Sequence, residues 1–247
     1  MDIKALAQDA APYVVERRHY YHQHPELTGE EKNTRDSIHR DLEALGITDI
    51  RDMVNCYGLV ATIHGGKPGK TVGLRADTDA LSFQEETGLP FASYEPGKMH
   101  ACGHDTHIAM LLGAAKLLQE HREELRGDVR LIFQPAEEHV IGSKAMIAEG
   151  ALDGVDAIFG QHVWGTLDIP YIDVTAGPRM AYSGRFTVDV LGTSSHAATP
   201  HLGADAITGA AAIINNLQQY VSRMSKPLDP VVLTIGTISG GNRYNEI

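Results

Sequence analysis

The residues 99–107 hold the densest group of chemically reactive side chains in the sequence. This run, MHACGHDTH, contains three histidines, a cysteine and an aspartate. A thiolate and an imidazole two residues apart, at Cys102 and His104, suit a divalent metal ion such as zinc, nickel, cobalt or manganese. Buried cysteines and histidines also occur as ordinary core residues. The run therefore favours a metal site, and other parts of the chain must supply the remaining ligands.

Four further side chains of metal-binding types follow predicted strands: Asp77, Glu137, Glu138 and His162. In an open α/β sheet, ligands bind at the edge formed by the carboxyl ends of the strands. The turn that carries Cys102 and His104 precedes a predicted helix and can face the same edge. The sequence thus predicts that separate segments deliver Asp, Cys, His and Glu side chains to one metal site.

The elements that position these residues alternate between strand and helix. The predicted helices cover residues 2–22, 30–45 and 105–120, with Asp105 as the N-cap of the third. The predicted strands cover residues 58–64, 71–77, 129–133 and 157–160. This order is typical of an α/β domain with a mainly parallel sheet and room for an antiparallel edge.

The pattern changes near residue 180. Residues 185–191 and 231–238 alternate between polar and apolar side chains, which indicates half-buried strands. Residues 203–224, between them, are rich in alanine, isoleucine and leucine and read as a helix. We therefore expect two domains, 1–179 and 180–247, the second of them α+β and built as β-α-β.

Composition limits the classes of function. The chain has 247 residues, a net charge of −11 and no long basic run, which argues against nucleic-acid binding. It has no apolar run of the length that a transmembrane helix needs. With only two cysteines and no basic, apolar leader at the N-terminus, we expect a cytoplasmic protein.

The adjacent carboxylates Glu137 and Glu138 suggest a reaction. In an extended chain neighbouring side chains point in opposite directions, so one carboxylate can bind metal while the other stands beside a metal-activated water. Such a carboxylate can accept the proton of the water and pass it to a leaving group, which is what amide or ester hydrolysis requires. A rival mechanism uses Cys102 as the nucleophile with a histidine base, but it leaves Glu138 and His162 without a role.

Five segments together resemble the M20 metallopeptidase family, and most closely its amidohydrolase branch, which includes hippurate hydrolases, N-acyl-amino-acid and N-acetyl-diaminopimelate deacetylases and indoleacetyl-amino-acid hydrolases. The matching segments are 17–27 (RRHYYHQHPEL), 73–81 (GLRADTDAL), 99–105 (MHACGHD), 134–138 (QPAEE) and 160–164 (GQHVW). The resemblance covers essentially the whole chain. It implies metal-dependent hydrolysis of the amide bond of small N-acyl amino acids.

The resemblance also implies roles for individual residues. Two divalent ions (Zn, Mn, Ni or Co) are held in the family by ligands that match Cys102, His104, Glu138 and His162. Glu137 matches the general base, and Asp77 matches the acidic residue that supports the metal site. The wider family has a metal-binding histidine where this chain has Arg75. An arginine cannot serve as such a ligand, so the imidazole role passes to His104. By contrast, His100, Asp105 and His107 are expected to support the ligands or cap the helix.

The part from residue 180 is similar to the lid of the family, which is also its dimerisation domain. Residues 193–198 (TSSHAA) match the lid motif whose histidine polarises the substrate carbonyl, often across a dimer. This makes His196 the expected oxyanion-stabilising residue, and Asn245 matches a substrate-binding asparagine of the lid. A homodimer through a complete lid is expected.

Family members continue beyond the point that matches Ile247, with a further metal-binding histidine and the return to the catalytic domain. We therefore expect the 247-residue chain to bind metal weakly and to hydrolyse little unless the remaining part is supplied. The alternative from another class is an inactive metal-binding or ligand-binding relic with the same fold. Metal content and chelator-sensitive turnover distinguish the two.

Overall fold

The computed structural model of the chain describes residues 2–178 and 180–247. It divides into two compact units, Met1–Ile172 and Asp173–Ile247. The predicted assignment of a catalytic domain to 1–179 and a lid to 180–247 stays a prediction. Within the described ranges, no helix is both long enough and apolar enough to cross a membrane.

The first unit contains four helices and five strands. The helices are α1 (Ile3–Gln23), α2 (Lys32–Ala44), α3 (His104–Glu120) and α4 (Gly142–Ala148). The strands are β1 (Asp49–Asp52), β2 (Leu59–Ile63), β3 (Val72–Asp77), β4 (Val129–Gln134) and β5 (Ala157–Gly160). The α/β class predicted from the sequence is confirmed.

The five strands form one mixed sheet in the order β1-β2-β4-β3-β5. The pairs β1–β2 and β2–β4 are antiparallel, whereas β3 pairs in parallel with both β4 and β5. The parallel part is the one that matters for the site. Because β3, β4 and β5 run in the same direction, their carboxyl ends, with Asp77, the 135–138 segment and His162, meet at one edge.

Alternate residues of the central strands build two apolar clusters. Leu59, Ala61 and Ile63 of β2 pack with Leu131 and Phe133 of β4 in the larger cluster. Val60 and Ile132, the residues between them, pack in the smaller cluster with Met146 of α4. Successive side chains of a strand point to opposite faces. The two clusters therefore lie on opposite sides of the sheet.

Helix α3 covers one face of the sheet and positions the site. Ile108, Leu111, Leu112 and Ala115 are spaced three and four residues apart and lie in the larger cluster. Each fully buried leucine or isoleucine contributes about 1.5–3 kcal/mol relative to an exposed one. The same packing holds His104, the first residue of α3, against the carboxyl ends of the strands.

The start of α3 differs from the prediction. The N-cap is Gly103, in the left-handed region with φ of 88°, and not Asp105. The carboxylate of Asp105 is buried in the first turn, where it accepts hydrogen bonds from Arg18 and His22. Asp105 therefore ties α1 to the beginning of α3 instead of capping the helix.

In the second unit, the predicted helix is present as α5 (Ala206–Gln219), which Asp205 caps by accepting the N–H of Thr208. The two flanking segments, 185–191 and 231–238, form no hydrogen-bonded strand in the described part of this unit. The prediction of strands in these two segments was wrong. An alternating pattern marks a chain that can pair, but a ladder also requires a neighbouring strand.

Candidate metal centre

The predicted ligands of the first unit come together at the carboxyl edge of the sheet. The potential ligand atoms of Cys102, His104 and Glu138 lie within 4.8 Å of one another. Those of a second, overlapping group also lie within 4.8 Å of one another, and that group comprises Asp77, His104, His107 and His162. Residues from β3, from the segments after β4 and β5, and from the start of α3 thus converge.

His104 is oriented so that one ring nitrogen faces this convergence. Its Nδ1 lies 2.8 Å from the main-chain oxygen of Asp79 and must donate to it, so in the neutral ring Nε2 is the acceptor. Nε2 is buried without a hydrogen-bond partner in the described structure, as is Oε1 of Glu138. Nε2 of His104 lies 3.5 Å from Oδ2 of Asp77 and 3.9 Å from Oε1 of Glu138. A buried acceptor facing carboxylate oxygens is a place for a cation.

His162 is oriented in the same way. Its Nδ1 lies 2.5 Å from the main-chain oxygen of Val163 and acts as the donor. Its Nε2 lies 3.4 Å from Sγ of Cys102. The two predicted histidine ligands therefore both direct an Nε2 lone pair into the site, in the arrangement that metal-binding histidines adopt. The residues present thus fit a divalent metal ion.

His107 has no nitrogen left for a metal. Its Nε2 lies 2.9 Å from the main-chain N–H of Val163, and only an unprotonated nitrogen can accept that hydrogen bond. Its Nδ1 is therefore protonated and donates to Oδ1 of Asp77 at 2.5 Å. Although His107 lies among the potential ligand atoms, these bonds make it a link between Asp77 and the segment that carries His162. This agrees with its predicted supporting role.

Asp77 is held ionised by its neighbours. Burial raises the pKa of its carboxyl group, but the hydrogen bond from His107 and the positive charge of Arg75 outweigh burial and lower the pKa to about 2. Arg75, which stands in place of a histidine of the wider family, donates to Oδ2 of Asp77 at 2.7 Å. In this chain, Arg75 therefore supports the carboxylate that faces His104.

Glu137 and Cys102 have pKa values shifted in the same direction. Burial, with the charges of Asp77 and Glu138, raises the pKa of Glu137, which suits a residue that must accept and release a proton. Burial and the neighbouring Glu138 raise the pKa of the Cys102 thiol to about 12. An unassisted Cys102 thiolate is therefore disfavoured, which weakens the rival thiol mechanism.

Sequence reasoning missed two buried carboxylates, Asp79 and Glu31. Both are almost fully buried, and both accept hydrogen bonds from the backbone of the segment that carries Glu137 and Glu138. The only sequence signal for Asp79 was its place two residues after Asp77. Glu31 lies far away in the sequence and gave no signal.

The two remaining predicted residues lie in the second unit. Nδ1 of His196 accepts the N–H of Ala198 at 3.0 Å, so its Nε2 carries the proton and can donate. The main-chain oxygen of Asn245 accepts the N–H of Ala197 at 3.1 Å, which places Asn245 beside His196. An N–H donor at Nε2 is what an oxyanion-stabilising role requires. Both assignments stay predictions.

Comparisons with known proteins agree with this arrangement. The model of Peptidase family M20/M25/M40 matches residues 73–242. The chain is 46% identical to N-acetyl-L-cysteine deacetylase from Bacillus subtilis, over 100% of this chain and 61% of that protein. It is 40% identical to N-acyl-L-amino acid amidohydrolase from Geobacillus stearothermophilus, over 99% of this chain and 66% of that protein.

A solved structure shares the fold over part of the chain. The YXEP protein of Bacillus subtilis, described as a dinuclear metal binding peptidase from the M20 family, superposes with a TM-score of 0.61 at 45% identity. The match covers 66% of this chain and 45% of that one. The chain thus spans less than two thirds of the length of these relatives. By sequence and by fold, it belongs to Peptidase family M20/M25/M40.

Proposed function

We propose that this chain provides the metal centre of an amidohydrolase that cleaves the amide bond of N-acyl amino acids. The observation that carries the proposal is the buried Nε2 of His104, which faces carboxylate oxygens of Asp77 and Glu138 without a hydrogen-bond partner in the described structure. Support for the substrate class comes from the relatives, an N-acetyl-L-cysteine deacetylase and an N-acyl-L-amino acid amidohydrolase.

Four residues would hold the metal: Cys102, His104, Glu138 and His162. A pair of divalent ions is proposed because the YXEP relative is described as dinuclear. The mixed sulfur, nitrogen and oxygen donors admit zinc, manganese, nickel or cobalt. When bound, such ions polarise the amide carbonyl and bring the pKa of water close to neutrality. Asp77, fixed by Arg75 and His107, would keep the imidazole of His104 in place.

Glu137 would act as the general base and then as the general acid. Its carboxylate would accept the proton of the attacking water and later deliver it to the nitrogen of the leaving amino acid. The raised pKa of Glu137 supports this double role, since a group with an ordinary carboxyl pKa holds a proton poorly near neutral pH. The products would be a carboxylic acid and a free amino acid.

Roles for residues of the second unit belong to the same proposal. In this proposal, residues 180–247 belong to a lid domain, His196 polarises the substrate carbonyl from its protonated Nε2, and Asn245 contacts the substrate. A cytoplasmic location and a homodimer formed through the lid belong to the same proposal. The alternative, an inactive metal-binding relic, would retain the ligands without this second contribution.

Metal content and turnover test the proposal. After equilibrium dialysis against Co²⁺ or Zn²⁺, we expect up to two metal ions per chain. Any release of amino acid from N-acetyl amino acids should stop on chelation. Glu137→Gln should retain the metal and reduce turnover by at least about a hundredfold. Turnover that survives chelation but is blocked by alkylation of Cys102 would refute the metal mechanism. Bound metal without turnover would favour the relic.

A further inference from the structure

The segment that carries the proposed base and ligand is held by two carboxylates from distant parts of the chain. Three consecutive backbone N–H groups in this segment each donate to one of them. The N–H of Ala136 donates to Oε1 of Glu31 at 2.8 Å. Those of Glu137 and Glu138 donate to Oδ1 and Oδ2 of Asp79, each at 3.1 Å. The backbone at the base and the ligand is therefore anchored through one side chain, that of Asp79.

The local conformation of this segment needs such an anchor. Ala136 has a φ of 50°, in the left-handed region that is unfavourable for a residue with a Cβ atom. Such a conformation persists only where surrounding contacts hold it. The carboxylates of Glu31 and Asp79 are among those contacts, together with the backbone hydrogen bonds from Ile141 and Gly142 to the main-chain oxygen of Ala136.

Asp79 also reaches the histidine ligand. Its main-chain oxygen accepts the hydrogen bond from Nδ1 of His104, which leaves Nε2 of that ring free. Its Oδ2 accepts a further hydrogen bond from the hydroxyl of Thr28 at 2.7 Å. Oδ1 of Asp79 also lies 3.4 Å from Nδ1 of His104. The carboxylate of Asp79 therefore contacts the side chains of Thr28 and His104 and in turn aligns two backbone N–H groups.

We propose that Asp79 is a positioning residue that sets the base Glu137 and the ligand Glu138 relative to His104. This inference rests on the proposed function, and it assigns to Asp79 a role separate from that of Asp77. Asp77 faces the ligand atoms and is held by His107 and Arg75. Asp79 acts on the backbone N–H groups of the two adjacent glutamates and on Nδ1 of His104, and it has no predicted contact with metal or substrate.

The direct test is Asp79→Asn in the full chain, with Co²⁺ as the probe. Asparagine offers one acceptor oxygen, and its amide group would face the second backbone N–H with another donor. One of the two N–H groups is released, and Glu137 and Glu138 can shift. We expect the dissociation constant for Co²⁺ to rise about 10–100-fold. The visible absorption of bound Co²⁺ should also change, because the ligand geometry changes.

Glu149→Gln is the matched control. The carboxylate of Glu149 also accepts two consecutive backbone N–H groups, those of Val54 and Asn55, at 2.7 and 2.8 Å. It lies in a segment that supplies none of the predicted ligands. This variant should lower the melting temperature without changing Co²⁺ affinity or absorption. A general loss of stability is thereby separated from a change at the metal site.

A milder pair of variants covers the case in which Asp79→Asn fails to fold. Thr28→Val removes the hydroxyl that aligns Asp79 while preserving the shape of the side chain, and Thr28→Ser retains the hydroxyl. We expect Thr28→Val to weaken Co²⁺ binding severalfold, up to about tenfold, with an altered absorption spectrum. Thr28→Ser should restore both properties.

The outcomes are distinguishable. Weaker binding with an altered spectrum in Asp79→Asn or Thr28→Val, but not in Glu149→Gln, supports the positioning role. Unchanged affinity and spectrum in a folded Asp79→Asn would overturn it, as would an equal loss of affinity in Glu149→Gln. If Asp79→Asn does not fold, wild-type behaviour of Thr28→Val overturns it. A wild-type chain that binds no metal at all refutes the proposed function itself.

Discussion

His107 offers a sharp test of which residues bind metal and which support the ligands. Its side chain is 1% exposed, its Nδ1 donates to Asp77 and its Nε2 accepts the N–H of Val163. The change His107→Leu removes both hydrogen bonds and leaves both partners in place. The change His107→Asn keeps a donor near the position of Nδ1 and loses only the acceptor for Val163.

The structure sets the size of the effect. A hydrogen bond to a charged group contributes about 1.5–3 kcal/mol, and a buried N–H left without an acceptor costs about 1–3 kcal/mol. We therefore expect His107→Leu to lower the free energy of unfolding by roughly 3–5 kcal/mol, with a smaller loss for His107→Asn. His107 holds Asp77, the carboxylate that faces the predicted ligand His104. Without His107, metal affinity should therefore fall about 10–100-fold while the number of bound ions stays the same.

Two measurements check this prediction. Urea unfolding with a chelator present gives the stability of the metal-free variants, and competition with a chromophoric chelator gives affinity and stoichiometry. Tyr21→Phe is the control, because it removes a buried hydrogen bond to a carboxylate, that of Asp41, at 2.7 Å and away from the proposed ligands. Loss of one whole equivalent of metal in His107→Leu would show that His107 is a ligand. Unchanged affinity would show that its link to Asp77 does not support the site.

Three further predictions follow from the same geometry. At a metal concentration near a hundred times the dissociation constant, bound metal should raise the melting temperature by about 5–10 °C, and chelation should remove this increase. Cys102→Ser should reduce the increase. An equal increase in the variant and the unchanged chain would argue that the ion binds elsewhere. A Cβ at Gly142 would lie 1.6 Å from the main-chain oxygen of Pro135. Gly142→Ala should therefore lower the free energy of unfolding by about 1–3 kcal/mol and weaken metal binding. Gly165→Ala, whose Cβ meets open space, should change neither quantity in the same chemical denaturation and chelator assays. Burial lowers the pKa of His100 from 6.5 to about 4. As the pH falls, the unfolded chain takes up the proton first, so the free energy of unfolding should decrease by about 3 kcal/mol between pH 6.5 and 4. Urea unfolding of His100→Phe should show a flatter pH dependence in that range.

The positions of the helices and central strands followed from local patterns. The spacing of Ile108, Leu111 and Ala115 indicates a helix with one apolar face, and the run 129–133 indicates a buried strand. These patterns are local because burial of a helix or strand face depends on a fixed period of 3.6 or 2 residues. The second unit shows their limit, since the alternation in 185–191 and 231–238 could not supply the neighbour that a ladder needs.

The sequence also predicted that the ligand residues meet at one edge of the sheet, but it did not predict how the histidine rings are oriented there. The sequence placed Cys102, His104, Glu138 and His162 at one edge, because the carboxyl ends of parallel strands meet there. Which nitrogen of each histidine faces the metal depends on what the other nitrogen binds, and those partners come from elsewhere. The main-chain oxygen of Asp79 decides this for His104.

The family of this chain, its α/β class and the residue types that meet at the candidate metal centre were therefore predictable from the amino-acid sequence. These depend on motifs and periodicities written within short stretches of chain. The three-dimensional fold was needed to show that Asp77 and Val163 engage both ring nitrogens of His107, and that Glu31 and Asp79 accept hydrogen bonds from the backbone of the segment with Glu137 and Glu138. These hydrogen bonds join residues 30 to 105 positions apart and depend on proximity in space, which no local pattern records.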